Sequence, residues 1–145
     1  MPRIDIDAIE QRTGSGYPAP FNQRAQGRVK QALGVGLTDF GVNLTRLPPG
    51  EWSSQRHWHS HEDEFVYVLS GELTMCTDGG EQLLQAGEAA AFPKNQPDGH
   101  HLVNDGKDMA VYLEIGSRDA ADVCSYPDVD LHYAGRYAHK DGTPY

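Results

Sequence analysis

From residue 40 to residue 47 the chain alternates, with Phe40, Val42, Leu44 and Arg46 on one face and Gly41, Asn43, Thr45 and Leu47 on the other. A period of two is the signature of an extended strand. Residues 65–69, Phe-Val-Tyr-Val-Leu, read as a buried strand that stops at Gly71. Glu64, Val66 and Val68 share one of its faces, and Phe65, Tyr67 and Leu69 the other. Residues 72–77 and 81–84 flank Asp78-Gly79-Gly80, the pattern of a hairpin. Ala89-Ala90-Ala91-Phe92 lies between Gly87 and Pro93, too short a run to nucleate the helix that its alanines favour, so it is expected to be a strand. Residues 99–104 and 109–115 complete the series, with Met109, Val111, Leu113 and Ile115 opposite Ala110, Tyr112 and Glu114.

The flanks are less regular. Residues 1–36 form an N-terminal arm, in which residues 22–33 have room for one short helix placing Ala25, Val29, Ala32 and Leu33 on one side and Arg24, Arg28 and Lys30 outside. Residues 119–145 form a C-terminal extension whose tyrosines at 126, 133, 137 and 145 imply packing, on the barrel of residues 37–118 or on a dimer mate. The count comes to about eight short strands joined by Gly- and Pro-containing turns without crossover helices, which excludes a doubly wound α/β fold and predicts an all-β antiparallel sandwich or jelly roll.

Size and charge narrow the function. A chain of 145 residues is one domain, and 16 glycines with 9 prolines suit many turns. The net charge of −9 disfavours nucleic acid and anionic membranes as partners, but not a small anion near a bound cation. No apolar leader or 18-residue apolar run occurs, so a cytoplasmic location is expected. Cys76 and Cys124 form neither a disulfide framework nor a ligand pair by spacing.

The chemistry concentrates in two places. His57, His59 and His61 alternate and are followed by Glu64; His100-His101 lies about 40 residues later, also on a strand-like stretch. Five of the seven histidines thus fall in two short segments, and imidazoles beside a carboxylate on rigid sheet suit a divalent transition metal. Glu64 has the opposite parity to His57 and His59, so residues 60–63 must turn for the three to converge.

His57-x-His59, Glu64 and Gly71, followed by Gly87, Pro93, Gly99-His100 and Asn104, resemble the two motifs of the cupin family. The resemblance runs from Gly50 to Asn104. Two spacings depart from the family pattern: Gly50 stands one residue further from His57, and residues 94–98 lengthen the step from Pro93 to Gly99. What the resemblance implies is a double-stranded β-helix, or jelly-roll barrel, with one divalent metal (Fe, Mn, Ni, Co or Zn) per chain held by His57, His59, Glu64 and His100, with His101 the alternative to His100. It also implies a homodimer.

A metal with open positions would serve a dioxygenase, an isomerase or lyase, or a non-catalytic binding or sensing protein. In each case the partner is a small oxygenated molecule. Isomerase or lyase chemistry needs a further acid or base, for which His61, Tyr67 and Tyr112 are the candidates. Glu114 faces either solvent or a pocket. No arginine is evidently aimed inward, which weighs against a sugar phosphate, and Arg46 is the strand arginine to test.

Overall fold

In the computed structural model, which describes residues 3–145, the alternating stretches become strands at nearly the expected places. The strands are β1 (Arg12–Thr13), β2 (Val29–Ala32), β3 (Phe40–Leu47), β4 (Trp58–His59), β5 (Glu64–Ser70), β6 (Glu72–Thr77), β7 (Gly80–Gln85), β8 (Ala89–Phe92), β9 (His101–Val103), β10 (Ala110–Ser117), β11 (Cys124–Ser125), β12 (His132–Tyr133) and β13 (Tyr137–Ala138). Among the described residues every strand pairing is antiparallel. A six-stranded sheet runs β1-β2-β3-β10-β5-β8, a three-stranded sheet runs β7-β6-β9, and a four-stranded sheet runs β13-β12-β11-β4. Their non-sequential order is that of a jelly roll.

Register decides which side chains face inward. Lys30, Thr45, Tyr112 and Val68 form one cross-strand row, and Ala32, Asn43, Glu114, Val66 and Ala90 the next. Gly116, Glu64 and Phe92 follow in a third row towards the mouth. Apolar members of these rows meet the three-stranded sheet in a core of Leu47, Val66, Val68, Leu73, Leu84, Leu102, Ala110 and Tyr112. Burying such side chains stabilises by about 1.5–3 kcal/mol each, so the closed end of the barrel is a rigid base for the polar mouth. The opposite face of the large sheet carries Phe40, Phe65 and Tyr67, all exposed.

The arm departs from expectation. Residues 22–33 do not form one helix: a single 3-10 turn at Gln23–Ala25 gives way to β2, which pairs with β3. Gly27 interrupts the helical stretch, and the edge of β3 offers a full ladder to Val29–Ala32. Two side chains assigned to the helix therefore exchange sides, Arg28 being buried and Ala32 exposed, while Ala25 is buried as expected. The C-terminal extension packs on its own chain, pairing β11 with β4. A second cluster of Cys124, Tyr126 and Leu131, joined by Tyr17, Phe21, Val129 and Tyr137, ties arm to extension.

Gly71 makes the turn between β5 and β6 at φ 75°, and a Cβ there would lie 2.7 Å from the Met109 carbonyl oxygen. Gly87 has φ 89° with open space around it. Gly71→Ala should therefore cost more than Gly87→Ala, by roughly 1–3 kcal/mol. Denaturant midpoints of the two variants measure the difference, and equal losses would contradict the close approach.

Candidate metal centre

β4 and β5 belong to different sheets, and the bend over residues 60–63 carries the chain between them. That bend resolves the parity conflict: the strand period is broken between His59 and Glu64, so His57, His59 and Glu64 face a common point. His57 and His100 exchange backbone hydrogen bonds of 3.1 and 2.9 Å, which sets their rings 4.8 Å apart. Phe92, the cross-strand partner of Glu64, stacks on His100 with ring centroids 3.6 Å apart.

Glu64 is the hub. Its Oε1 lies 2.9 Å from His59 Nε2, and its Oε2 lies 2.5 Å from His100 Nε2 and 3.6 Å from His57 Nε2. The far nitrogens of two of these rings are already committed. His57 Nδ1 donates to the Gln55 carbonyl at 2.8 Å, and His59 Nδ1 to the Asp122 carboxylate at 2.7 Å. A carbonyl oxygen can only accept, so His57 carries its proton on Nδ1 and presents a lone pair from Nε2. Lone pairs facing a carboxylate repel unless a cation stands between them. Either a second proton or a metal ion supplies it.

The titration behaviour expresses the same demand. Burial alone would raise the Glu64 pKa, but hydrogen bonds from His100 and His59, with the His57 ring close by, hold it well below the usual carboxylate range. For His59, burial would lower the pKa, yet Glu64 and Asp122 outweigh it and push it up to about 9. His100 goes down, mainly through burial.

The donor set fits a metal. Two ligands at right angles, each 2.0–2.2 Å from one ion, stand about 3 Å apart, close to the separations around Glu64. One donor atom each from His57, Glu64 and His100 lie within 4.8 Å of one another. Asp122 behind His59 is the carboxylate–imidazole arrangement that orients a ligand and raises its basicity. His100 and His101 are separated by register: His101 donates to the Ser54 carbonyl at 2.9 Å and packs against Trp52, away from Glu64.

The proposed acids and bases do not join this group. His61 is exposed, within the bend, and its ring bonds to Ser60 at 2.7 Å. Tyr67 lies on the outer face because its position pairs with Leu113, opposite to the row that holds Glu64. Tyr112 points inward but is fully buried in the core, its hydroxyl without a partner. Arg46 also lies outside, donating to Gln31 at 2.8 Å.

Other residues line the space beside the donor set. The site opens on a cavity of about 510 Å³ whose lining includes Arg28, Lys30, Glu114, Asp122 and Tyr126. Glu114 thus faces the cavity, accepting from Lys30 Nζ at 2.9 Å. Arg28 and Lys30 share a strand period that a helical reading conceals. Asp122 sits in a polar stretch with no periodicity to mark it.

The cupin domain family model matches residues 43–116. A crystal structure of a sugar phosphate isomerase from a cupin superfamily, from Silicibacter pomeroyi, is 41% identical and superposes with a TM-score of 0.93 over 99% of this chain and 96% of that one. A crystal structure from Acidithiobacillus ferrooxidans is 31% identical, with a TM-score of 0.79 over 94% and 90%. Polyketide synthase CurC of Streptomyces cyaneus is 37% identical over 59 residues, 41% of this chain. The chain spans 38% to 56% of the length of the curated relatives it matches.

Two outcomes follow for the centre. His100→Ala should abolish metal uptake while His101→Ala largely retains it, as read by metal analysis of protein purified without an affinity tag; the reverse order would displace His100 from the ligand set. Near neutral pH His59, with its pKa at about 9, is protonated without metal, so uptake should release about one proton per ion. Calorimetry in buffers of different ionisation enthalpy counts that proton, and none released would show that His59 is not a ligand.

Proposed function

The chain belongs to the cupin family, and on that premise we propose that it is a metal-dependent enzyme of the isomerase type, moving a proton between adjacent carbons of a small hydroxy-carbonyl compound. The observation that carries the reading is the convergence of three Nε2 atoms on Glu64 at the wall of an open cavity. The whole-length similarity to a protein described as a sugar phosphate isomerase supports the same reaction class.

His57, His59, His100 and Glu64 would hold the metal, which when bound polarises a carbonyl or hydroxyl oxygen as a Lewis acid. Gln55 and Asp122 fix the tautomers of His57 and His59. Glu114 is the carboxylate available to accept and return the substrate proton. Burial would raise its pKa, but Lys30 outweighs this and lowers it, keeping the base ionised. Phe92 fills the space beside His100 and limits water there.

Two further parts belong to this reading. The exposed apolar side chains on the outer face of the large sheet, Phe40, Phe65 and Tyr67, suit a second copy of this chain. Both cysteines are free, in keeping with a reducing, cytoplasmic setting. Among the described residues, no helix is long and apolar enough to cross a membrane.

Metal-loaded protein offered a panel of aldose and ketose phosphates should interconvert them without consuming oxygen. Glu114→Gln should lower turnover by roughly a hundredfold or more with metal content unchanged. Oxygen uptake would instead establish a dioxygenase, and ligand binding without turnover a sensing protein. For the assembly, sedimentation should give a dimer that Phe65→Glu dissociates; a monomeric parent protein would remove the outer face from this role.

A further inference from the structure

The cavity is unequal in charge along its length, and its basic part is not explained by the metal centre. Arg28 and Lys30 precede and enter β2, two residues apart, so both project from the same face of the large sheet. Both line the cavity that His57, His59, Glu64 and His100 also line. The carboxylates of the other part are already engaged: Asp122 with His59, and Glu62 with the Asp119 backbone N–H.

The two cations differ in how they are satisfied. Lys30 has a counter-charge, Glu114, at 2.9 Å. Arg28 has no carboxylate within ion-pairing distance among the described residues, Glu114 acting on it only from further off: its guanidinium donates to the Gly14 carbonyl through Nε and Nη2 and to the Ser53 carbonyl through Nη1. These contacts use three of the five N–H donors of a guanidinium and neutralise none of its charge. Removing a cation from water is costly without an anion beside it, and Arg28 is only 9% exposed. The Ser15 hydroxyl also lines the cavity wall, without a partner.

We propose that Arg28 and Lys30 form a subsite for the oxyanion group of the substrate, a phosphate monoester or a carboxylate, while the carbonyl end of the same molecule reaches the metal centre. The proposal rests on the isomerase reading for its second clause only; the subsite itself stands on the charge and hydrogen bonding of the β2 side chains. The free donors of Arg28 and the two uncommitted N–H groups of Lys30 offer the multiple charge-assisted hydrogen bonds that an oxyanion takes. Lys30 would then bridge the anion and Glu114, coupling recognition to the placement of the base.

Inorganic phosphate, gluconate and glucose are titrated by calorimetry into the metal-loaded protein and into protein stripped with a chelator. Phosphate or gluconate should bind to both forms and glucose to neither; the stronger of the two anions identifies which oxyanion the subsite takes. Arg28→Gln and Lys30→Met should each weaken that binding about tenfold or more with metal content unchanged. Lys30→Met keeps the test decisive should Arg28→Gln fail to fold, since Arg28 also ties Gly14 to Ser53. Anion binding that disappears with the metal, that survives both substitutions, or that is absent from the parent protein would overturn the subsite. None of those results touches the metal centre, which is judged by metal content and by the His100→Ala variant.

Discussion

Glu64 faces three imidazole nitrogens with one carboxylate, and two of those rings have spent their other proton on fixed acceptors, the Gln55 carbonyl and the Asp122 carboxylate. Such an arrangement is electrostatically incomplete as a set of neutral rings around an anion. It calls for positive charge, and the lowered Glu64 pKa beside the raised His59 pKa runs in that direction. Most of the mouth serves this constraint: the bend at residues 60–63, the His57–His100 bridge and the Phe92 stack all hold donor atoms where a cation would neutralise them.

The barrel was legible because its strands are long enough to show a period. β3, β5, β6, β8 and β10 lie within two residues of where alternation and glycine turns placed them. The four ligand-type side chains were legible by resemblance, and the need for a break between His59 and Glu64 by parity alone. The arm was not. At residues 28–32 an alternating pattern and a helical one coincide, and only the unpaired edge of β3, which is a tertiary fact, selects the strand. Arg28 and Lys30 were misplaced with it. His61 was misjudged for a related reason: the period that put it beside His57 and His59 ends at the bend that brings Glu64 in. Asp122 reaches His59 from 63 residues away, through a pairing of two-residue strands too short to leave a pattern.

These gains and losses fall on either side of a boundary. The region matched by the family model, residues 43–116, contains the three histidines, Glu64 and Glu114. Arg28, Lys30 and Tyr17 come from before it, and Asp122, Tyr126 and Tyr137 from after it. The shared barrel thus carries the donor side chains that could hold an ion, and the flanking segments complete the lining of the cavity beside them. A common fold with different flanks can host different reactions, so the flanks are where relatives of this chain have freedom to diverge in substrate.

The pairing of β11 with β4 has a thermodynamic side. Cys124 stands opposite His59 in that ladder, and Asp122 two residues earlier steers the same imidazole. Docking of the tail and capture of an ion at this centre would consequently be linked equilibria: whatever free energy an ion contributed would be felt as extra adhesion of residues 119–145, and a loosened tail would raise the dissociation constant without a single ligand being changed.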